Sequence, residues 1–355
     1  MKIAIIGAGP AGLACALECE KLGIIADVFE RDREVGWVWP QVVVYLSFFE
    51  RRLGDVHSHL KETYGIYVKP LAEFRHLVMR SPHAETKIDG KLGYFWERGK
   101  GASSLENQLL AELKQTPVHY NRPADYKELA RKYDYVVVAT GKDTTPKELD
   151  VWEDCGRVVM LGGVAMGSFD PTTSVVYANT DYAGSGYARL TPINETQALV
   201  GLYCIGKKPD EADSLFGRFV EMEGLAHLEF LYKITPAAFS TGRVRKARIG
   251  NVLLAGRAAG LVERFMGTGL SYAIASGVMA ARAMIRDMDY DELLRPMWDH
   301  LENLSSFRQY FETMNNDGYD KLIGTLGNPI VQGAIYHTGL NFADIIGGIL
   351  KGVYH

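Results

Sequence analysis

None of the 355 residues fall in an uninterrupted apolar run long enough to cross a bilayer. No basic and apolar leader precedes the first strand-like residues, so the reading carries no export signal. Cysteine is scarce: Cys15, Cys19, Cys155 and Cys204 have no zinc-site spacing, and Cys15 and Cys19 fall four apart, as small hydrophobes packing one helix face against a sheet would. That usage fits a reduced, cytoplasmic chain. Neither sign of charge dominates, since 39 Lys and Arg face 43 Asp and Glu for a formal charge of -4. That balance gives no reason to expect nucleic acid as a partner. With 47% hydrophobic and 23% charged residues the chain is not of the disordered class. Its length is enough for a large core and more than one domain.

Glycine is arranged in two informative stretches. In the first, residues 2 to 6 form an apolar run expected as a buried parallel strand. Gly7, Gly9 and Gly12 then fit G-x-G-x-x-G, with Pro10 and Ala11 between them. The first glycine permits a tight turn, the second lets a pyrophosphate approach the backbone, and the third lets a helix pack on its strand. A helix over about Ala11 to Leu22 would aim its N-terminal NH groups at that diphosphate. A second strand, Ala26 to Glu30, ends in a carboxylate at the position that takes a ribose hydroxyl. Arg31, in the charged loop that follows, either contacts the adenine end of the nucleotide or sits in a solvated loop. A third strand, Asp134 to Gly141, ends in Ala139, Thr140 and Gly141, where backbone can lie against the adenosine half.

The second stretch, Asn251 to Gly277, predicts a strand up to Gly256, the turn Gly267-Thr268-Gly269, and a helix from Leu270 to Met284 full of small residues. Such a helix can approach the first helix closely, and its positive N-terminus suits developing negative charge.

Other segments leave alternatives open. His57 and His59 form an H-x-H pair that would share one face of a strand and offer two metal ligands, but no third ligand is near in sequence. Arg98 precedes Ser103 and Ser104, either of which can cap a helix carrying Glu106, Leu105, Leu109, Leu110 and Leu113. Arg98 either reaches a flavin edge or pyrophosphate, or belongs to that capped structural helix. Val158 to Gly167 looks like a second nucleotide loop, but Val164 stands in place of its middle glycine and Pro171 breaks the following helix. Strands are expected instead at about 157 to 162, 174 to 179, 186 to 192 and 196 to 205, flooring a substrate cavity beside a helix near 210 to 224. Tyr187 and Trp39 are candidates to line that cavity or to be core. Arg243, Arg245, Lys246 and Arg248 either decorate an exposed strand or form a docking face for an acidic redox donor protein. The C-terminal residues 290 to 355 read as helical, anchored by Trp298, Phe307, Tyr310 and Phe311. The tail, Asn341 to Val353, suits docking on the protein or a second copy better than peripheral membrane contact.

GAGPAG at 7 to 12, FERDREVG at 29 to 36 and LLAGRAAGLVERFMGTGLSYAIASG at 253 to 277 resemble the p-hydroxybenzoate-hydroxylase-type flavoproteins, and within them the geranylgeranyl reductase family. The resemblance covers most of the chain. It implies an α/β fold in which a Rossmann-type FAD-binding domain (1–70 with 98–145 and 245–285) is interleaved with an antiparallel β-sheet substrate domain (71–97 with 146–244), followed by a C-terminal helical segment (286–355). It implies that Gly7, Gly9, Pro10, Ala11, Gly12, Glu30 and Arg31 hold the ADP half of FAD, and that Gly256, Gly267, Thr268, Gly269 and Leu270 line the ribityl chain and ring.

Four departures stand out. Arg257 follows Gly256 where the family carries an aspartate, so it either reaches a phosphate or points away. Ala139-Thr140-Gly141 replaces Ala-Asp-Gly. The aromatic motif near the substrate cavity is reduced to residues 186 to 192, and the family's cysteine between Gly36 and Leu60 is missing. The expected function is an FAD-dependent oxidoreductase exchanging a hydride between flavin N5 and an apolar, isoprenoid-like substrate, with NAD(P)H or another donor as reductant. An NAD(P)H-dependent flavin monooxygenase and a non-catalytic FAD-binding protein are the alternatives. The sequence singles out no acid or base.

Overall fold

Fourteen strands sort into two sheets in a computed structural model that describes residues 1–48, 54–264, 266–305 and 308–337. The first sheet is nucleated by Ile3–Ile6 (β1), whose four residues are all buried, as expected of a strand covered on both faces. It pairs in parallel with Asp27–Phe29 (β2) on one side and with Tyr135–Val138, a later strand, on the other. The second sheet opens with Gln41–Leu46 (β3), Ala72–Arg80 (β4) and Glu85–Arg98 (β5). Val118–His119 (β6) and Tyr135–Val138 (β7) return to the first sheet. Trp152–Met166 (β8), Thr173–Tyr177 (β9), Tyr187–Pro192 (β10), Gln197–Ile205 (β11) and Glu229–Val244 (β12) belong to the second. Arg248–Ile249 (β13) and Val252–Leu254 (β14) complete the first.

The six-stranded order is β13-β14-β7-β1-β2-β6, parallel except for the β13–β14 edge. The eight-stranded order is β12-β8-β11-β10-β9-β4-β5-β3, antiparallel except where β4 runs parallel to β9. The α/β architecture expected from sequence is therefore present, with a nucleotide-type parallel layer and a larger antiparallel one. Gln41–Leu46 lies within the range expected for the nucleotide-binding part, yet its hydrogen bonds go to β5 in the eight-stranded sheet. Val158–Gly167 is not a nucleotide loop: residues up to Met166 continue β8, paired on both sides by β11 and β12.

The two glycine-bearing helices, Pro10–Lys21 and Leu270–Arg286, cross closely. A Cβ on Gly277 would lie 2.0 Å from the Ala11 carbonyl oxygen, so only glycine allows this approach. Arg282 Nε donates to Glu18 Oε1 at 2.6 Å across the crossing. Cys15 and Cys19 are fully buried in the same core, as small hydrophobes. The Tyr290 hydroxyl, also buried, donates toward the carbonyls of Leu254 (2.8 Å) and Ser276 (3.1 Å), joining the last parallel strand to this helix pair.

His57 and His59 are a correction. They sit on a helix, Val56–Tyr64, capped by the Asp55 carboxylate accepting from Ser58 N at 3.1 Å. Two helical positions are turned about 200° apart, so the rings diverge rather than share a strand face. His57 packs edge-on against Tyr94 with centroids 4.2 Å apart, and His59 lies against Tyr64.

The C-terminal helices Asn316–Leu326 and Pro329–His337 carry Tyr319, Leu322, Ile323, Leu326 and Ile335 into a buried cluster beside the second sheet. Thr86 Oγ1 donates to the Ile323 carbonyl at 2.7 Å and ties helix to strand. Trp298 donates from Nε1 to the Ala259 carbonyl at 3.0 Å, and Tyr310 and Phe311 pack on the C-terminal cluster. Phe307 and the apolar tail from Asn341 to Val353 lie outside the described residues. Among the described residues no helix is long and apolar enough to cross a membrane.

Candidate functional site

At the end of β1 the chain turns under steric constraint. Gly7 has φ +101°, and a Cβ there would lie 2.7 Å from the Ala139 carbonyl oxygen. A Cβ on Gly12 would lie 2.0 Å from the Gly7 carbonyl oxygen. Both glycines are therefore needed by the fold itself. Gly9 is different: a Cβ there would meet nothing within 4 Å, so its face is open. Pro10 occupies the first helical turn, where its missing NH costs nothing, and the helix N-terminus is directed at that opening. Glu30, just past β2, accepts from Ala8 N through Oε2 at 2.8 Å and from Asp32 N through Oε1 at 3.0 Å. The carboxylate is thus held against the glycine loop. Arg31 is exposed on the rim, 3.5 Å from Asp32.

The second stretch reaches the same region. Gly256, at φ +62°, faces Ala11 and Ala273, with a Cβ 3.2 Å and 3.6 Å from their side chains. Its NH donates to Ser276 Oγ at 2.9 Å. Ala139 is tied to the end of β1 by its NH on the Ile6 carbonyl at 2.8 Å. Thr140 lies beside it, and Gly141, at φ +66°, has open space where a Cβ would be. Gly267 (φ +69°), Thr268 and Gly269 close a loop in which Glu263 N donates to the Thr268 carbonyl at 2.7 Å and Gly267 N to the Glu263 carbonyl at 3.0 Å. Gly269 is then the N-cap of the helix beginning at Leu270, with no side-chain cap on the first NH groups. Two glycine turns far apart in sequence are therefore gathered around one helix pair, each presenting a helix N-terminus.

Arg98 and Arg257 add positive charge. Arg98 donates from Nε (2.8 Å) and Nη2 (2.6 Å) to one oxygen of Glu106, which is 1% exposed, while the other oxygen of Glu106 is buried with no partner among the described residues. The structural alternative for Arg98 is thus partly realised: it braces the helix capped by Ser104, which accepts from Asn107 N. Arg257 lies over the Phe239 ring at 4.6 Å and has no hydrogen-bonded or ion-paired partner among the described residues. Burial, then the neighbouring Arg98, lower it to about 10, with Asp143 opposing. A largely desolvated guanidinium with no directly paired carboxylate is costly. Its neighbourhood is suited to an anionic group such as a diphosphate.

A cavity of about 200 Å³ opens between the second sheet and the C-terminal helices. Its walls are largely apolar, including Val44, Phe74, Leu77, Ile88, Leu322 and Ile335. Met266 and Thr268 of the second glycine loop form part of the same wall, and a smaller pocket beside it is lined by Val43–Leu46 and by Gly269–Tyr272. Tyr187 does line the cavity: its hydroxyl donates to the Met266 carbonyl at 2.9 Å and its ring stacks on Tyr203 at 4.8 Å. Burial, then Tyr203, push that phenol far above the usual range. Trp39 does not line the cavity; it stacks on Tyr232 at 5.9 Å, in a separate cluster with Ile193.

Arg189 comes from the 186–192 stretch expected beside the cavity, whereas Glu263 was not anticipated as a cavity residue. The signal available for Glu263 is that it and Arg264 are the two charges between Gly260 and Gly267. Of the basic run, Arg243 pairs with Glu153, Arg245 with Asp150, and Arg248 stacks on Tyr135.

No family model matches the chain. A stretch of 149 residues is 29% identical to an uncharacterized protein of Methanocaldococcus jannaschii, and spans 40% of this chain but only 32% of that relative. Over 375 aligned residues, 91% of each protein, the chain is 23% identical to digeranylgeranylglycerophospholipid reductase 2 of Methanothermobacter thermautotrophicus. In three dimensions it matches a geranylgeranyl bacteriochlorophyll reductase-like protein of Thermoplasma acidophilum with a TM-score of 0.75, at 15% identity, over 99% of this chain and 98% of that one. It also matches the flavin-dependent halogenase CmlS with a TM-score of 0.67, at 17% identity, over 100% of this chain and 70% of that one. Over most of its length the chain is therefore similar to proteins named as reductases of the geranylgeranyl type, and its fold is one that it shares with flavin-dependent enzymes.

Proposed function

We propose that the chain reduces an apolar, unsaturated, isoprenoid-like substrate held in the cavity against the second sheet, using bound FAD. The residues fit that cofactor: Gly9 leaves room at a helix N-terminus for a diphosphate, and Arg257 supplies a charge with no hydrogen-bonded or ion-paired partner among the described residues. Gly7, Pro10, Ala11 and Gly12 would shape the diphosphate turn. Glu30 would give up its bonds to Ala8 and Asp32 to take ribose hydroxyls, with Arg31 on the adenine rim. Ala139, Thr140 and Gly141 would flank the adenosine half. Arg98 and Arg257 would face the phosphates, and Gly256 would pass beside the ribityl chain. Gly267, Thr268, Gly269 and Leu270 would border the ring. Bound FAD supplies two-electron chemistry, its reduced ring giving a hydride. The protein's part is to orient substrate, exclude water and place a positive helix end where negative charge develops.

The observation that carries this reading is one wall in common: Met266 and Thr268 belong both to the loop that starts the Leu270–Arg286 helix and to the apolar cavity. A substrate in that cavity would therefore abut the ring end of the site. Substrate identity follows only as a class, since the walls offer few polar partners for a head group.

The test is direct. Purified protein is titrated with FAD, reduced with dithionite without oxygen, and mixed with geranylgeraniol in detergent. Flavin reoxidation with a newly saturated bond in the product is expected. Protein that takes up no FAD rules out the reading. NADPH oxidation coupled to hydroxylation of an aromatic would instead select the monooxygenase chemistry.

A further inference from the structure

We infer that Arg257 sets the reduction potential of the bound flavin, raising it by stabilising the negative charge that the ring takes on when reduced. This rests on the FAD-binding part of the reading above and not on the choice of substrate. Two-electron reduction at neutral pH brings two electrons and one proton to the ring, and so leaves it one charge more negative. A fixed cation close to the ring favours that state over the oxidised one. Arg257 stands where the resembling family carries an aspartate, so the sign of the local charge is reversed.

The structure puts the guanidinium near the ring end of the site. It lies over the Phe239 ring, 4.6 Å from the centroid. Phe239 Cζ is in turn 3.9 Å from where a Cβ on Gly267 would be. One phenyl ring therefore separates the guanidinium from the turn assigned to the flavin ring. The backbone that carries Arg257 is fixed: Gly256 N donates to Ser276 Oγ at 2.9 Å, and Gly260 N to the Arg257 carbonyl at 2.9 Å.

The neighbouring charges are matched among themselves. Arg98 is bonded twice to Glu106, and Asp143 pairs with Lys147 at 2.5 Å. Arg257 has no hydrogen-bonded or ion-paired partner among the described residues. Burial, then Arg98, lower it to about 10, so it stays charged at neutral pH. A unit charge at about 10 Å, with an effective dielectric constant of about 20, shifts such a balance by about tenfold. The diphosphate that Arg257 would also face carries the same charge in both redox states. Its contribution cancels when wild type is compared with a variant, whereas the field of Arg257 at the ring does not. A ring whose reduced form is favoured in this way can be loaded by a weaker electron donor.

The test is potentiometric. Wild type and Arg257→Gln, each saturated with FAD, are reduced slowly without oxygen beside a reference dye of known potential. The potential of Arg257→Gln is expected to fall by about 30 mV, the two-electron equivalent of a tenfold loss of preference for reduced over oxidised FAD. Arg257→Lys, which keeps the charge, should lose less than half as much. An unchanged potential in Arg257→Gln, with both forms of FAD held more loosely to the same degree, overturns the assignment while leaving FAD binding standing. An equal fall in Arg257→Lys and Arg257→Gln overturns it as well. Wild-type protein that takes up no FAD overturns both readings. Should Arg257→Gln fail to fold, Arg257→Met decides by the same criterion.

Discussion

Single residues separate what the fold needs from what the cofactor needs. Gly7 sits at φ +101° with Ala139 2.7 Å from where a Cβ would be, whereas Gly9 has an ordinary φ of -84° and open space. Gly7→Ala is therefore expected to destabilise the cofactor-free protein by more than about 1 kcal/mol. Gly9→Ala should leave its stability within about 0.5 kcal/mol, yet weaken FAD binding by obstructing the diphosphate. Denaturant melts of both variants, set beside FAD titrations, check the pair, and equal effects on folding would contradict it.

Arg257 makes the complementary case. Replacing it by Gln removes a charged donor worth about 1.5–3 kcal/mol, so Kd for FAD should rise about 10- to 100-fold. The loss should shrink for riboflavin, which has no phosphate. The glycines of both motifs stand out in sequence by their spacing within each motif, although the atoms that demand glycine at 7 and 277 come from Ala139 and Ala11, far away in the chain. Arg257 was legible only as a departure, because the Phe239 ring beneath it comes from a different strand. Glu263 was missed as a cavity residue because the walls around it are supplied by residues scattered from Val44 to Ile335.

At the scale of elements, periodicity located β1, β2, β14 and both glycine helices to within a residue or two, because each has a single dominant buried face or run; it overran β7 by three residues at its end and missed the two-residue parallel strand β6. The H-x-H segment went the other way. Strand spacing places His57 and His59 on one face, but the local capping chemistry of Asp55 starts a helix there. That cap makes a prediction with a pH signature. Burial alone would raise Asp55, but the Tyr94 hydroxyl, Ser58 NH and Lys91 outweigh it and hold the carboxyl at about 2, against 3.8 for a free one. A carboxyl lowered by folding stabilises the native state above its unfolded pKa and loses that contribution as pH falls through its folded pKa. Asp55→Ala should therefore cost about 1 kcal/mol at neutral pH. The difference from wild type should narrow between pH 3.8 and about 2. Thermal melts of both proteins across that range, at constant ionic strength, measure it; a gap independent of pH would mean the cap contributes nothing through its charge.

Over the whole molecule, two layers with different tasks meet at one loop. The parallel sheet and its helix pair form a charged, glycine-rich cradle, and the antiparallel sheet with the C-terminal helices forms an apolar chamber. Sequence order hides this, since β3 precedes the Val56–Tyr64 helix yet pairs with β5, and the chamber's far wall arrives only with Asn316–Leu326. The division of labour has a consequence that can be measured. Leu322, 5% exposed on that helix, lines the chamber and lies outside the residues assigned to FAD. Enlarging it to Phe takes up part of a cavity of about 200 Å³. Leu322→Phe should bind FAD as the wild type does. It should bind geranylgeraniol at least about tenfold more weakly, a loss of about 1.4 kcal/mol, by calorimetry in a common detergent. Equal weakening of both ligands would mean that the chamber and the cradle are not separable in this way. Unchanged binding of both would mean that the apolar ligand lies elsewhere, and with it the reason to assign this chain a substrate enclosed by its C-terminal helices.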